Sequence, residues 1–137
     1  MSIPSRQIGW GTDSNLLWQI LKQLTRLTSV MFAATPKYKV YTALLNQTNQ
    51  DAPVATVLQN TLGGEVVWTT PFDGTFDAIL NGVFTLNKVV IFVTTSNATI
   101  IEAYPIDINT IELYQVDLSG MQINGLNNVS LEIRVYN

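Results

Sequence analysis

The 137-residue chain contains no cysteine and no histidine. The first absence removes disulfides and thiol nucleophiles. The second removes the commonest general base and the usual zinc, copper and iron donor sets. Carboxylate chemistry and oxygen-ligated calcium stay open. Charge is scarce too, at 12% of residues, where about a quarter is typical of soluble domains. A surface so poor in charge suggests that a good share of it is covered by something else. Long apolar runs are also missing. The longest aliphatic or aromatic run goes from Val89 to Val93, far short of the roughly 20 residues of a membrane helix. The N-terminal MSIPSRQIGW lacks the apolar centre of a signal peptide. Synthesis in a cytoplasm, with no membrane partner, is expected.

What charge there is divides sharply. Residues 1–39 carry Arg6, Lys22, Arg26, Lys37 and Lys39 against Asp13, a balance of +4. Residues 40–137 carry Lys88 and Arg134 against nine acids, a balance of −7. A basic stem on an acidic head fits an object oriented toward an acidic surface. The basic residues form no run, so nucleic acid is not expected as a partner.

The stretch Asp13 to Met31, DSNLLWQILKQLTRLTSVM, carries the strongest pattern. Leu17, Ile20, Leu24, Leu27 and Met31 recur at spacings of 3, 4, 3 and 4, the a/d seam of a coiled coil. Leu at a with Ile at d shifts preference from two strands toward three or four. Leu16 and Leu21 flank the seam and widen the apolar face. Thr12 or Asp13 is expected to cap the helix. Two and a half heptads is short for a coiled coil, so packing of this helix on its own domain is the competing expectation.

Before the helix, residues 1–12 hold Pro4, Gly9 and Gly11 and no helical period. They predict an extended arm. Ile3, Ile8 and Trp10 have no core of their own there and suit docking into a groove of another protein. A disordered terminus is the alternative. After the helix, Pro36 forces Thr35 toward extended backbone. The expected organisation is therefore an arm over 1–12, a helical oligomerisation stem over 13–35 and a β-head over 36–137.

From Tyr38 onward, short β-branched and aromatic segments alternate with turn residues. Strands are expected at 38–46, 54–58, 65–70, 76–80, 83–86, 88–95, 100–104, 111–118 and 129–136. Asn81-Gly82 predicts a type I′ hairpin. KVVIFVTT, apolar on both faces, reads as central. Ile111, Leu113 and Gln115 should share one face, as should Val129, Leu131, Ile133 and Val135. Eight or nine strands at this spacing predict a mainly β fold, an antiparallel sandwich or jelly roll preceded by one helix.

Chemistry is sparse. Asp73 and Asp77 could form a carboxylate pair for glycoside hydrolysis, but turn and strand-face roles explain both. Asp107 and Asn109 are oxygen ligands two apart, without a third in register. Trp68, Phe72, Tyr104 and Tyr114 could stack on sugar, with packing the better account. No catalytic residue, metal or cofactor is expected.

Several stretches taken together carry a resemblance: IPSRQIGWGTDSNLLWQILKQLTRL, YTALLNQ, VLQNTLGG followed by VVWT, GTFDAIL and SLEIRVY. Across most of its length the chain resembles small virion structural proteins of tailed bacteriophages, of head-fibre, decoration or short-fibre type. The resemblance implies a non-enzymatic homotrimer located in the virion. Its arm, through Ile3, Pro4, Arg6, Ile8 and Trp10, would hold capsid or other virion proteins. Host-surface or mucus glycans would be a further partner, and an adhesion module is the alternative function.

Overall fold

A computed structural model describes the backbone of residues 5–33 and 37–137, and the side chains of residues 14–29 and 37–137. The chain divides into two compact units, Met1–Pro36 and Lys37–Asn137.

The first unit holds helix α1, Ser5–Ala33. It begins well before Asp13. The backbone around Arg6, Ile8 and Trp10 is therefore helical and not the extended arm that Gly9 and Gly11 suggested. Each of those glycines costs about 1 kcal/mol relative to alanine. An already nucleated helix can absorb that, because each added residue gains a hydrogen bond without a new nucleus. Ile3 and Pro4 lie outside the described residues. Asp13 sits inside the helix and does not cap it. Downstream, the hydroxyls of Thr25, Thr28 and Ser29 donate to the carbonyls four residues back, at 2.8–2.9 Å. These bonds satisfy the hydroxyls without recruiting another element.

The second unit holds eight strands in two antiparallel four-stranded sheets, in a sandwich-like arrangement. The strands are β1 (Tyr38–Asn46), β2 (Val54–Asn60), β3 (Val67–Phe72), β4 (Thr75–Ile79), β5 (Val89–Thr94), β6 (Thr99–Pro105), β7 (Thr110–Asp117) and β8 (Val129–Tyr136). Sheet I has the order β2-β1-β8-β5 and sheet II the order β3-β4-β7-β6. The last strand, β8, is thus inserted between β1 and β5.

The core lies between the central strands. Tyr41, Ala43 and Leu45 of β1 and Leu131 and Ile133 of β8 are buried with Phe76 and Ala78 of β4 and Ile111 and Leu113 of β7. Period-two alternation puts these side chains on the inner faces. Burying each large one contributes about 1.5–3 kcal/mol. Phe84, Leu62, Val66 and Leu126 close the core from the loops. Trp68 Nε1 donates to the Tyr41 hydroxyl at 3.2 Å across the two sheets.

Two expectations about strands change. Asn81-Gly82 makes no type I′ hairpin, and residues 83–86 form no strand. Gly82 has φ +71°, but Asn81 is not among the positive-φ residues, and a type I′ turn needs both. Gly82 N–H instead donates to Asn109 Oδ1, and Phe84 N–H to the Ile108 carbonyl. Burial of Phe84 holds this connection in the core as the chain crosses from sheet II to sheet I. The two-residue hairpin is at Asp73-Gly74, between the partners Phe72 and Thr75. The second change is β5, which is an edge strand. Its inner residues Val89, Ile91 and Val93 pack on the core, while Val90 and Phe92 are exposed.

Register fixes the two ends of the head. Lys37 and Asn137 share one end with the loops 61–66, 80–88 and 106–109. The loops 47–53, 73–74, 95–98 and 118–128 share the other, the far end.

Candidate functional site

Two surfaces stand out, one in each unit. On α1, Leu17, Ile20, Leu24 and Leu27 are between 47 and 64% exposed. Leu16 and Leu21 flank them and are equally open. The fifth seam residue, Met31, lies outside the described side chains, as do Arg6, Ile8 and Trp10. On the polar side, Lys22 Nζ sits 4.1 Å from the centre of the Trp18 ring, a one-turn cation–π pair. An apolar stripe left in water costs roughly 25 cal/mol per Å² relative to burial. The stripe can therefore do one thing well, which is to bind another apolar surface.

On the head, three connections at the far end are tied into one surface. Gln47, only 8% exposed, joins its own loop to β3 and to the 118–128 loop. Its Nε2 donates to the Asp51 carbonyl (2.8 Å) and to Thr70 Oγ1 (3.3 Å), and its Oε1 accepts from Gly125 N–H (2.7 Å). Asp73 Oδ1 accepts from Gln50 Nε2 (3.0 Å) and Asn124 Nδ2 (2.7 Å). Asn124 Oδ1 in turn accepts from Gly74 N–H at 2.9 Å. Phe72 projects beside this network and is 73% exposed. Leu118 and Met121 are exposed at the same end. Their turn is held by Asp117 Oδ1, which accepts from Ser119 Oγ, Ser119 N–H and Met121 N–H. The Ser119 hydroxyl bond, followed by the backbone bonds, keeps the Asp117 carboxyl below its usual range. The resulting surface carries amides, a fixed carboxylate and an apolar ring. It can hydrogen-bond and stack.

The acids weighed for hydrolysis are placed differently. Asp73 belongs to the far-end network. Asp77 lies on the outer face of sheet II, with Glu112 as its direct cross-strand partner. The Tyr104 hydroxyl donates to Glu112 at 2.5 Å, which raises the Tyr104 pKa. Asp107 Oδ1 accepts from Asn109 N–H at 2.6 Å within its own loop, and Asn109 Oδ1 is taken by Gly82 N–H of the 80–88 loop. Among the described residues no group of three or more acidic, histidine or cysteine side chains could hold a metal. No helix among them is long and apolar enough to cross a membrane. The four aromatics do not form one surface. Trp68 is in the core, Phe72 is at the far end, and Tyr104 and Tyr114 are on the outer face of sheet II.

Comparison with protein-family models, curated proteins and solved structures finds no match to this chain. The far-end network was not visible as a site in the sequence. Gln47, Gln50 and Asn124 sit in polar loops like any others, and 78 positions separate Gln47 from Gly125. The only local signal was the turn PFDG, with an aromatic residue where turns are usually polar.

Proposed function

We propose that the protein is a non-enzymatic structural component of a tailed-phage virion. In this reading three copies join along α1 as a coiled-coil stem. Each displays a jelly-roll-like β-head, and the segment from Ile3 to Trp10 anchors the stem to capsid or other virion proteins. The observation that carries the reading is the exposed seam of Leu17, Ile20, Leu24 and Leu27. A helix of 29 residues spans about 43 Å, and most helical stability comes from packing of an apolar face. Copies of the same helix supply a face with matching spacing. The uneven charge supports the reading too, with the basic residues gathered at the stem.

The test is solution mass by light scattering. Full-length protein should run at three times the 15.2 kDa chain mass, and a chain starting at Pro36 should fall toward one. A monomeric full-length protein would end the reading.

A second reading, adhesion to host-surface or mucus glycans, is favoured by the far end. Its exposed Phe72 and fixed Asp73, Asn124 and Gln50 suit a neutral, hydroxyl-rich ligand. A glycan array probed with wild type and Phe72→Ala separates the two. Binding lost in the variant supports adhesion, and an array blank for wild type confines the protein to a structural role.

A further inference from the structure

Exposed sheet edges normally carry charge, proline or a bulge that discourages pairing with another chain. In this head the charge sits elsewhere. All charged strand residues except Glu102 lie on the central strands β1, β4, β7 and β8. Of the four edge strands, β3 and β6 at least hold Pro71 and Pro105. The two edges of sheet I hold neither charge nor proline: β2 reads VATVLQN and β5 reads VVIFVT. β2 has one irregularity, a register shift against β1 that leaves Leu58 as an extra residue, while Val54–Val57 stays in regular register. Both are apolar and open. Val54, Val57 and Leu58 on β2 and Val90 and Phe92 on β5 are 40–69% exposed. The outer hydrogen-bonding side of each has no partner strand among the described residues.

The two edges also match in direction. β2 is antiparallel to β1, and β5 is antiparallel to β8, which is itself antiparallel to β1. β2 and β5 therefore run in opposite senses. Copies related by rotation about an axis along the strands keep those senses. The β2 edge of one head then meets the β5 edge of the next as an antiparallel neighbour, continuing the alternation of the sheet. A two-fold β2–β2 contact would also be antiparallel, but it closes on a dimer. The a/d pattern of α1 shifts preference to three or four strands, of which the proposed function takes three, and three-fold symmetry requires a contact between two different edges.

We propose that sheet I continues from copy to copy, with β2 of one head docked against β5 of its neighbour. The choice of unlike edges rests on the three-stranded reading of α1. The neutral, apolar edges stand apart from it. In this arrangement Val54, Val57 and Leu58 of one copy gain Val90 and Phe92 of the next as cross-strand neighbours, which fits edges without charge.

The absence of cysteine makes a clean test available. Full-length Leu58→Cys, Phe92→Cys and the double variant are treated with a bismaleimide shorter than the roughly 14 Å that three strand spacings put between β2 and β5 of one head. Circular dichroism and melting first establish that each variant is folded. The expected result is covalent dimers and trimers from the double variant and none from either single variant. Dimers from Leu58→Cys alone would mean like-edge pairing and overturn the proposal, as would a double variant that stays uncross-linked. The two readings fail separately. A trimeric mass without cross-links sinks the edge contact alone. Cross-links in a protein whose mass does not respond to Ile20→Asp/Leu24→Asp sink the stem alone.

Discussion

Asp77 on β4 and Glu112 on β7 face each other directly across the strand pair, and one Asp77 oxygen is buried there without a hydrogen-bond donor. Burial raises the Asp77 pKa first, and the charges of Glu112 and Asp107 raise it further. A carboxyl whose folded pKa exceeds its unfolded value near 3.9 favours the fold when protonated. That contribution is fully present below the unfolded pKa and is lost as pH rises through the folded one. Asp77→Asn should therefore stabilise the protein at pH 7, by up to about 1 kcal/mol for relief of a like-charge pair. The gain should vanish near pH 3. Thermal melts at both pH values check this, and an equal effect at both would contradict it.

Gly74 and Gly120 both have positive φ, at +67° and +84°, yet they should respond differently to alanine. A Cβ on Gly74 would lie 2.7 Å from the Gln115 carbonyl oxygen and 2.9 Å from the Ile123 nitrogen, both backbone. A Cβ on Gly120 meets nothing within 4 Å. Gly120→Ala should cost about 1–2 kcal/mol, the left-handed penalty alone. Gly74→Ala should cost clearly more, because backbone must move. Urea midpoints of the two variants give the comparison directly.

Trp68→Phe removes the donor to the Tyr41 hydroxyl while keeping an aromatic ring. Tyr41 is buried, and burial holds its pKa above the usual tyrosine value despite the Trp68 bond. A buried hydroxyl left unpaired costs about 1–3 kcal/mol. Adding Tyr41→Phe should return part of that loss, since both polar partners are then gone. A double variant that melts below Trp68→Phe would show that the bond is not what Trp68 contributes.

Gln47→Met keeps the length of the side chain and deletes the three side-chain bonds that Gln47 contributes to the far end. Hydrogen exchange should quicken at Gly125, whose N–H loses its acceptor, and in the 47–53 loop. The central strands β1 and β8 should be unaffected. Uniform loss of protection across the head would mean that Gln47 supports the core rather than the loops.

Ile20→Asp with Leu24→Asp places charge in the proposed seam. A charge buried without a partner costs several kcal/mol, so the chains should separate while the β signal in circular dichroism is retained. The readout is mass by light scattering beside the far-ultraviolet spectrum. An unchanged mass would move assembly out of the helix.

The alternating strands were legible because burial follows a period of two. Ile111, Leu113 and Gln115 face inward as a set, and so do Val129, Leu131, Ile133 and Val135. The Asn81-Gly82 region was misread because its local preference for a hairpin yields to burial of Phe84 and to the bond from Gly82 to Asn109, 27 positions away. β5 was misread as central because apolar residues on both faces usually mean cover on both faces. Strand order is set by pairings between distant segments, and no short window contains it. The far-end network is hidden for the same reason, since its bonds join residues up to 78 positions apart. The start of α1 was obscured by Gly9 and Gly11, whose local cost outweighs any local signal in favour of helix.

The place of β8 between β1 and β5 also governs when the head can form during synthesis. Sheet I has a gap at its centre until Val129–Tyr136 leaves the ribosome, although β1 was finished more than 80 residues earlier. At roughly 5–20 residues per second that is an interval of about 4–17 s. Through the later part of it, β1 and the uncharged β5 both wait without their shared neighbour. A chain terminated before Val129 should accumulate as insoluble product, which makes correct translation to the end of β8 a condition for any folded head at all.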